Sequence, residues 1–404
     1  MSVTIDEIYE AQKRINGVVV QTPFAFAPYL SKTADCFVYL KKENLQVTGA
    51  FKIRGAYNKI ASLSNKQREA GVVAASAGNH AQGVAFSAQK FGIKAIIVMP
   101  EATPLNKIEG VKYFGAKVIL KGSNYDEAYV YALEYGALHN LTLIHPFEDD
   151  KVISGQGTVA LEMLSDIDDL DAIVVPVGGG GLISGIAVAA KSLKPSIQVI
   201  GVGAKGAPAL KNSFDAKECH NSLNVRTIAD GIAVRDCSEI TLNYILKYVD
   251  KFISVDDAEI ASAILYLLER QKLVVEGAGA VGVAALMHDE LPELKGKKVA
   301  VVLSGGNMDV TLLSVIIEKG LIKSSRKMKL VVTLVDRPGS LMKLSAILKE
   351  LDANIVHIAY DRTSISLEYG DANVIVHLET KGIKHQQLIM DVLQTSGYLS
   401  QSVV

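Results

Sequence analysis

The sequence predicts an α/β fold of two lobes with parallel sheets, followed by a smaller unit in which strands and helices alternate differently. Three observations support this. Short β-branched runs are each followed by an alanine-rich segment with helical spacing, as in "VVAAS" before "AGNHAQGVAFSAQKFG" and "AIVVPV" before "GGGGLISGIAVAAKSL", and such repeats are typical of a parallel sheet with helices on its faces. The pattern stops near residue 320. The length of 404 residues exceeds what one hydrophobic core usually fills.

The first region contains many further strand candidates. They are "CFVYLKK", "AIIVMP", "AKVILKG", "QVIGVGA", "KFISV" and "KKVAVVLSGG". Because these are too many for one small sheet, we expect a first domain over residues 1–322, built as two lobes with a cleft between them. The smaller lobe is expected over roughly residues 50–150.

A second domain is predicted after a short basic linker. The linker is assigned to residues 323–328 and the domain to residues 329–404. From Leu330 the order is strand "LVVTLVD", helix "SLMKLSAILKELDA", strands "NIVHIAYDR" and "ANVIVHLET", helix "KHQQLIMDVLQTSG" and a short final strand. This βαββαβ order predicts one ferredoxin-like unit.

Charge and composition exclude several partners. The chain has 42 basic and 43 acidic residues and a net charge of −1, with no basic run that could follow a phosphate backbone. Nucleic acid is therefore not an expected partner. No apolar run reaches the ~18 residues of a membrane span, and the first residues lack the apolar core of a signal peptide. We expect a soluble, cytoplasmic protein with no membrane partner.

The three cysteines suggest a reducing compartment. Cys36, Cys219 and Cys237 are odd in number and show no CxxC spacing. Such a set disfavours both a disulfide framework and a structural zinc site.

The glycine run in "VGGGGLISG" is the first candidate site. It follows a buried strand and opens a helix, so its backbone amides are unobstructed at a helix amino terminus, where they can bind a phosphate. The run matches neither G-x-G-x-x-G nor a Walker A loop, and four glycines suit a compact monophosphate better than a pyrophosphate. The alternative is a tight turn with no ligand.

Two more strand ends carry polar side chains. "SAGNHAQGVA" begins at Ser76 and offers Ser, Asn and His side chains where a carboxylate or a ring hydroxyl could be held. "SGGN", Ser304 to Asn307, offers a hydroxyl and an amide after the strand "VAVVL". The alternatives are an ordinary helix cap for the first and a simple turn for the second.

Lys52 is the candidate nucleophile. It stands between Phe51 and Ile53 in "TGAFKIRGA", and burial among apolar residues would lower its pKa and leave a neutral amine for Schiff-base chemistry. The alternative is a surface lysine with flanking core residues. A nucleophilic lysine together with a phosphate cradle suggests pyridoxal phosphate.

The segments "TGAFKIRGA", "SAGNHAQGVA", "VGGGGLISG", "EGAGAVGVAAL" and "SGGN", in this order and spacing, resemble those of the fold-type II (tryptophan synthase β-like) pyridoxal-phosphate enzymes. Within them the chain is similar to the threonine ammonia-lyase and serine racemase group. The resemblance covers about residues 5–320. It implies a cofactor site made by Phe51, Lys52, Asn79, Gly178, Gly179, Gly180, Gly181, Leu182, Glu276 and Ser304, and a substrate carboxylate site made by Ser76, Gly78, Asn79 and His80.

The resemblance also implies individual roles. Lys52 would form the Schiff base with the cofactor, Asn79 would hydrogen-bond the ring hydroxyl, and the glycine run would hold the phosphate. Ser304 would face the pyridine nitrogen. A neutral Ser there leaves that nitrogen unprotonated and weakens the ring as an electron sink, which β-elimination tolerates better than transamination.

The implied reaction is elimination of water from L-threonine, with Lys52 as general base, to give 2-oxobutanoate and ammonia. L-serine is expected to give pyruvate in the same way. One alternative is a serine racemase or serine dehydratase of the same fold. Ala50 stands where relatives often carry Ser, and this argues against racemisation. An alternative of another class is an amino-acid sensor that has lost its chemistry.

Metal binding is not predicted. Gly203 stands where many relatives place an acidic residue for a divalent cation, which argues against a magnesium site. The loop "TIADGIAV" around Asp230 has the character of a cation or substrate-side loop, and a monovalent cation is left open.

The terminal domain resembles the ACT family through "VDRPGSLMKLSAIL" and "ANIVHIAYDR". That resemblance implies an amino-acid effector bound at a subunit interface of a homo-oligomer, a dimer or a tetramer. The effector candidates are Asp336, Gly339, Ser340 and Asn354. The alternative is a domain that only stabilises the oligomer. Isoleucine biosynthesis and threonine breakdown both remain open as the physiological task.

Overall fold

A computed structural model describes residues 3–365 and 367–403. The chain forms two compact units, the first ending at Asp309 and the second beginning at Val310. In the described part of the chain, no helix is long and apolar enough to cross a membrane.

The described part of the first unit, from residue 3 onwards, contains ten strands. In chain order they are β1 (Phe24–Phe26), β2 (Phe37–Lys41), β3 (Val72–Ala75), β4 (Ala95–Met99), β5 (Lys117–Leu120), β6 (Thr142–Leu143), β7 (Ala172–Pro176), β8 (Gln198–Ala204), β9 (Lys251–Val255) and β10 (Lys298–Val302). Their order is β1-β2-β10-β7-β8-β9 in a six-stranded sheet and β5-β4-β3-β6 in a four-stranded sheet. All pairs are parallel except β1 with β2. The prediction of two lobes with parallel sheets is confirmed.

Helices cover both sheets. They are α1 (Ile5–Ile15), α2 (Pro28–Ala34), α3 (Lys52–Ala61), α4 (Asn65–Ala70), α5 (Asn79–Phe91), α6 (Leu105–Lys112), α7 (Tyr125–Leu138), α8 (Asp150–Asp166), α9 (Gly181–Leu193), α10 (Ala209–Ala216), α11 (Glu239–Tyr248), α12 (Asp257–Tyr266) and α13 (Gly277–Met287). β3, β4 and β7 are buried at every position, as strands covered on both faces must be. The predicted β-branched runs therefore form the sheet cores.

A buried ion network joins α3 to α8. Arg54, fully buried on α3, donates to both oxygens of Glu43 at 2.8 and 2.7 Å. It also donates to both oxygens of Glu162 on α8, at 2.6 and 2.9 Å. Lys41 ion-pairs with Glu162 as well, at 2.5 Å. Because Arg54 follows Lys52 by two residues, the network fixes the first turn of α3.

The expectation that the cysteines form no disulfide is wrong for one pair. Cys219 and Cys237 are disulfide-bonded, with Cα atoms 5.4 Å apart. Their bond closes the loop between α10 and α11. Spacing along the sequence did not reveal it because the two residues meet only through the path of this irregular loop. Cys36 is a buried free thiol.

The second unit has the predicted βαββαβ order after one additional helix. Its elements are α14 (Val310–Lys323), β11 (Lys327–Val335), α15 (Ser340–Glu350), β12 (Asn354–Asp361), β13 (Asp371–Glu379), α16 (Ile383–Thr395) and β14 (Leu399–Val403). The strands form an antiparallel sheet in the order β12-β13-β11-β14. Alternate residues of β11 and β13 are buried against α15 and α16. Such alternation is typical of an antiparallel sheet with one face packed against helices.

The division between the units differs from the expected one. We expected the first domain to end at residue 322, followed by a linker over residues 323–328, but Val310–Lys323 is a helix that belongs to the second unit. Lys327 of β11 ion-pairs with Glu318 of this helix at 2.7 Å. Some of the basic residues predicted to form the linker therefore belong to the start of β11. The turn between α14 and β11 is short.

The register of the second sheet separates the effector candidates. Asp336 follows the last residue of β11, Val335, which pairs with Asp371. Asn354 pairs with Glu379, and Glu379 also pairs with Lys327, the first residue of β11. Asp336 and Asn354 therefore lie at opposite ends of the sheet. Nine residues of strand separate these ends, which is about 30 Å. Within a single chain, Asn354 therefore lies far from Asp336, Gly339 and Ser340.

Candidate active site

The predicted site residues meet in one cavity of the first unit. The cavity has a volume of about 690 Å³ and lies at the carboxyl ends of strands from both sheets. Ser76 follows β3, Gly178 follows β7 and Ser304 follows β10. Parallel strands present their carboxyl ends at one edge, where ligands of α/β folds bind. The lining includes every residue predicted for cofactor or substrate: Phe51, Lys52, Ser76, Gly78, Asn79, His80, Gly178, Gly179, Gly180, Gly181, Leu182, Glu276 and Ser304.

Lys52 is the first residue of α3 and is partly buried, with its side chain lining the cavity. Its Nζ donates to the carbonyl of Pro146 at 3.1 Å and lies 5.3 Å from the Phe51 ring centroid. Burial lowers the pKa of Lys52 to about 8, and the charge of Glu276 opposes this only in part. The neutral amine therefore becomes the major form above about pH 8. Since the unfolded chain keeps its proton to higher pH, this group makes folding more favourable as pH rises from about 8 to 10.5.

The glycine run, here called the glycine cradle, packs so closely against its neighbours that side chains would not fit. A Cβ on Gly179 would lie 2.4 Å from the Phe147 ring, and one on Gly178 would lie 2.7 Å from Cα of Ile232. Gly180 has φ +87°, a conformation that L residues rarely adopt. α9 then begins at Gly181 with no side-chain cap, so its first amides are free to hold an anion. A phosphate fits this geometry.

The loop before α5 presents a second set of backbone donors to the cavity. Ser76 Oγ accepts a hydrogen bond from the Gly78 amide at 3.2 Å. α5 begins at Asn79 without a side-chain cap, which leaves the amides of its first turn available to a carboxylate. The loop thus offers backbone donors to an anionic group.

His80 differs from the prediction that its side chain helps to hold the substrate. Its Nε2 lies 2.8 Å from the Ile144 carbonyl, which can only accept, so Nε2 carries the proton. Burial, with the charge of Lys52, lowers the pKa of His80 to about 3 and keeps the ring neutral. Its Nδ1 is consequently an acceptor and cannot donate to a carboxylate. His80 can contribute to the anion site only through its backbone amide.

Glu276 lies beside Asn79 in the cavity. Asn79 Nδ2 donates to Glu276 Oε1 at 2.7 Å. Burial raises the pKa of Glu276 to about 7, and the Asn79 hydrogen bond opposes that shift in part. Ser304 is buried at the same strand edge. The Glu276 carboxyl group, the Asn79 amide and the neutral Ser304 hydroxyl therefore line the same cavity as Lys52.

The turn 145–148 is a functional element that the sequence did not reveal. His145 Nδ1 accepts hydrogen bonds from the amides of Phe147 and Glu148, at 3.3 and 2.7 Å. This turn directs the Pro146 carbonyl to Lys52 and the Phe147 ring to the glycine cradle. The one available signal was its place after a strand, but β6 has only two residues and shows no pattern.

Two ion pairs join the lobes across the cavity. Lys107 of α6 pairs with Asp230 at 2.9 Å, and Arg235 pairs with Asp126 of α7 at 3.1 Å. Asp230 and Arg235 belong to the loop closed by the Cys219–Cys237 bond. Asp230 lies in the loop that the sequence predicts to be on the cation or substrate side of the site, and its carboxylate is paired with Lys107. No group of three or more His, Cys, Asp or Glu among the described residues could hold a metal ion.

Ala50 does not line the cavity. It is fully buried and forms a β-bridge with Gly305. The argument that Ala50 disfavours racemisation is therefore wrong, because a hydroxyl at that position would not face the reacting groups.

Comparisons with known proteins agree with this geometry. The family model "Pyridoxal-phosphate dependent enzyme" matches residues 15–305. An L-threonine ammonia-lyase of Thermotoga maritima is 48% identical over 396 residues, 98% of each chain. One of Geobacter sulfurreducens is 44% identical over 392 residues, 97% of each chain.

Solved structures give the same fold for most of the chain. Maize serine racemase superposes with a TM-score of 0.75 at 37% identity, covering 80% of this chain and 99% of that one. The processed threonine deaminase isoform 2 of Solanum lycopersicum gives 0.74 at 36% identity, covering 79% and 90%.

Proposed function

The chain belongs to the pyridoxal-phosphate dependent enzymes, and from this premise we propose that it is an ammonia-lyase that deaminates L-threonine to 2-oxobutanoate and ammonia. The observation that carries this function is a partly buried lysine of lowered pKa in the same cavity as a glycine cradle whose free helix-start amides fit a phosphate. The relatives that match 97–98% of the chain are L-threonine ammonia-lyases. L-serine, with the same β-hydroxyl, is the expected second substrate.

The residues of the cavity fit pyridoxal phosphate. Bound there, the cofactor supplies an aldehyde for a Schiff base and a ring that withdraws electrons from the Cα atom of the substrate. The free amides from Gly178 to Leu182 would hold its phosphate. Asn79 would donate to its ring hydroxyl, and Ser304 would stand beside its ring nitrogen as a neutral group.

Lys52 has two tasks in this proposal. It holds the cofactor through its neutral amine between turnovers and, once released, it takes the α-proton of the substrate at Nζ. Its low pKa suits both tasks near neutral pH. The amides at the start of α5 hold the substrate carboxylate, so the Cα–H bond can be turned towards Lys52. Enclosure by both lobes limits the access of water to the reacting atoms.

A product assay separates this function from its alternatives. With L-threonine, the purified enzyme is expected to release 2-oxobutanoate and ammonia in equal amounts. L-serine should give pyruvate with a lower kcat/KM and far less D-serine than pyruvate. Faster formation of D-serine than of either oxo acid would instead establish a serine racemase, the alternative favoured by the similarity to maize serine racemase. Amino-acid binding without cofactor or turnover would establish a sensor, an alternative that the presence of Lys52, Asn79 and the cradle disfavours.

The second unit is proposed to be a regulatory ACT domain. Gly339, with φ +90°, precedes α15, whose first residue is Ser340. Next to this helix start, α15, β12 and β13 enclose a groove of about 420 Å³ lined by Leu341, Met342, Leu344, Ser345, Ile355, Ile358 and Val376. The helix start suits the carboxylate of an effector and the groove suits an apolar side chain, as in isoleucine or valine. Asp336 is held by Tyr360 and Arg362 at 3.0 and 2.6 Å, at the same end of the sheet.

Filling the groove is expected to desensitise the enzyme. Ser345→Trp should shift the concentration of isoleucine or valine needed for half-maximal effect by at least about tenfold, because the indole occupies the space of the effector side chain. The kcat without effector should not change. Lys349→Trp, on an exposed position of the same helix, is the matched control and should leave the effector response intact. An unchanged response in Ser345→Trp would place the effector elsewhere.

The remaining parts of the proposal concern assembly and setting. We propose a homo-oligomer, a dimer or a tetramer, supported by the half-exposed apolar residues Val356, Ile358 and Tyr360 on edge strand β12. The proposed location is the cytoplasm and the proposed pathway is isoleucine biosynthesis, with a monovalent cation as an optional further ligand.

A further inference from the structure

Asn307 ends the "SGGN" turn and connects two parts of the site. Its Nδ2 donates to the carbonyl of Thr48 at 2.8 Å and to Asn79 Oδ1 at 2.8 Å. Asn79 in turn donates through Nδ2 to Glu276 Oε1 at 2.7 Å. A chain of hydrogen bonds therefore runs from the backbone before Lys52 to the acidic group in the cavity.

The Thr48 carbonyl, where this chain of hydrogen bonds begins, determines which atom donates and which accepts in each bond. A backbone carbonyl can only accept, so the Asn307 atom that faces Thr48 must be the amide nitrogen. The same nitrogen faces Asn79, and the Asn79 atom there must therefore be its oxygen. The Asn79 nitrogen is then turned the other way, towards Glu276. Once one hydrogen on it is used by Glu276, the second is free to be donated into the cavity.

The backbone around Gly49 is built to admit Asn307. A Cβ on Gly49 would lie 2.4 Å from Asn307 Oδ1, and Gly49 has φ +71°, which disfavours any other residue. The Gly306 amide donates to the Gly49 carbonyl at 2.8 Å, and the Phe51 amide donates to the Ser304 carbonyl at 3.0 Å. The segment that leads to Lys52 and the turn that carries Asn307 are thus paired along their length. These backbone hydrogen bonds fix the position of Asn307 relative to Lys52.

We propose that Asn307 is a positioning residue that locks Asn79 as a hydrogen-bond donor to the ring oxygen of the cofactor, with the Thr48 carbonyl as its fixed reference. This inference rests on the proposed function, because it assumes pyridoxal phosphate in the cavity. A locked donor stabilises the ionised ring oxygen. A freely rotating amide would offer its own oxygen half of the time and would repel that charge. Asn307 itself does not need to contact cofactor or substrate.

The test combines Asn307→Ala, Asn79→Ala and the double variant. For each, the affinity of the cofactor-free protein for pyridoxal phosphate is measured by equilibrium dialysis. The share of the visible absorbance band, which reports the ionised ring oxygen, is then measured without substrate as a function of pH. Asn307→Ala should weaken binding by about tenfold, the loss expected for one charge-assisted hydrogen bond, and should decrease the visible band. In the Asn79→Ala background, Asn307→Ala should change neither quantity further.

Asn44→Ala is the matched control. Asn44 is also a buried amide near this turn and donates to a backbone carbonyl, that of Val274, at 3.1 Å, but it has no bond to Asn79. It should cost similar stability and leave the spectrum unchanged. If Asn307→Ala does not fold, Asn307→Asp replaces it, because Asp has the same shape and only acceptor oxygens facing Asn79.

Three results would overturn the inference. The first is a folded Asn307 variant with the wild-type affinity for pyridoxal phosphate and the wild-type spectrum. The second is a double variant in which the effects of Asn307→Ala and Asn79→Ala simply add. The third is a spectral change in Asn44→Ala as large as that in Asn307→Ala. Failure of the proposed function looks different, since the wild-type protein would then show no visible band with pyridoxal phosphate. That result would overturn both.

Discussion

Lys52→Ala is expected to lower kcat for L-threonine by about four orders of magnitude or more, because the variant loses both the amine that holds the cofactor and the base for the α-proton. The glycine cradle is untouched, so the variant should still bind pyridoxal phosphate without a covalent bond. Steady-state kinetics of 2-oxobutanoate release, with saturating cofactor added, measures the loss.

Lys59→Ala is the control for this experiment. Lys59 lies on the same helix and ion-pairs with Asp149 at 2.6 Å. Its removal should leave kcat within a few-fold of the wild-type value. Activity of Lys52→Ala close to that of Lys59→Ala would mean that another group removes the proton.

Arg54→Met should destabilise the protein by about 3–5 kcal/mol, because it leaves buried carboxylates without their partner. Burial alone would raise the pKa of Glu43, but Arg54, Thr22 and Lys41 together hold it below the ordinary value. With the folded-state pKa lowered, Glu43 stabilises the fold above its unfolded pKa, and this contribution is lost as pH falls through the folded-state pKa. Removing Arg54 removes the main cause of that stabilisation. Urea unfolding of the cofactor-free protein measures the loss.

A second variant separates charge from packing in this network. Arg54→Met combined with Glu43→Gln should recover part of the loss, since Glu162 keeps Lys41 as its partner. If Arg54→Met lowers the free energy of unfolding by less than about 1 kcal/mol, the loss is only that expected for a solvent-exposed ion pair. That result would contradict the view that this network fixes the start of α3.

The sequence predicted the sheets well where burial produces a pattern. β4, β7 and β10 are short β-branched runs covered on both faces, and every one was identified. β1 and β6 were missed because three and two residues are too few to show a period. The unit boundary was misplaced because the basic residues after α14 resemble a linker, although Lys327 already pairs with Glu379 in the sheet.

The site was predictable where the chain ends a strand and turns, and not where distant segments meet. The glycine run and Ser304 follow β7 and β10, whose carboxyl ends share one edge, so their convergence could be expected. The contact of Lys52 with Pro146 spans 94 residues, and that of Asn307 with Asn79 spans 228. Neither leaves a local pattern. The neutral state of His80 depends on its burial and on the charge of Lys52, and its tautomer depends on the Ile144 carbonyl. Only the fold reveals these neighbours.

The most direct test of the central claim is to identify the lysine that carries the cofactor. The holoenzyme is reduced with borohydride, which converts a Schiff base into a stable amine, and is then digested and mapped by mass spectrometry. We expect one pyridoxyl group per chain, on Lys52, and none in Lys52→Ala. A modification on any other lysine, or a fully active enzyme with no modified lysine, would contradict the assignment of Lys52 and the cradle as the catalytic centre.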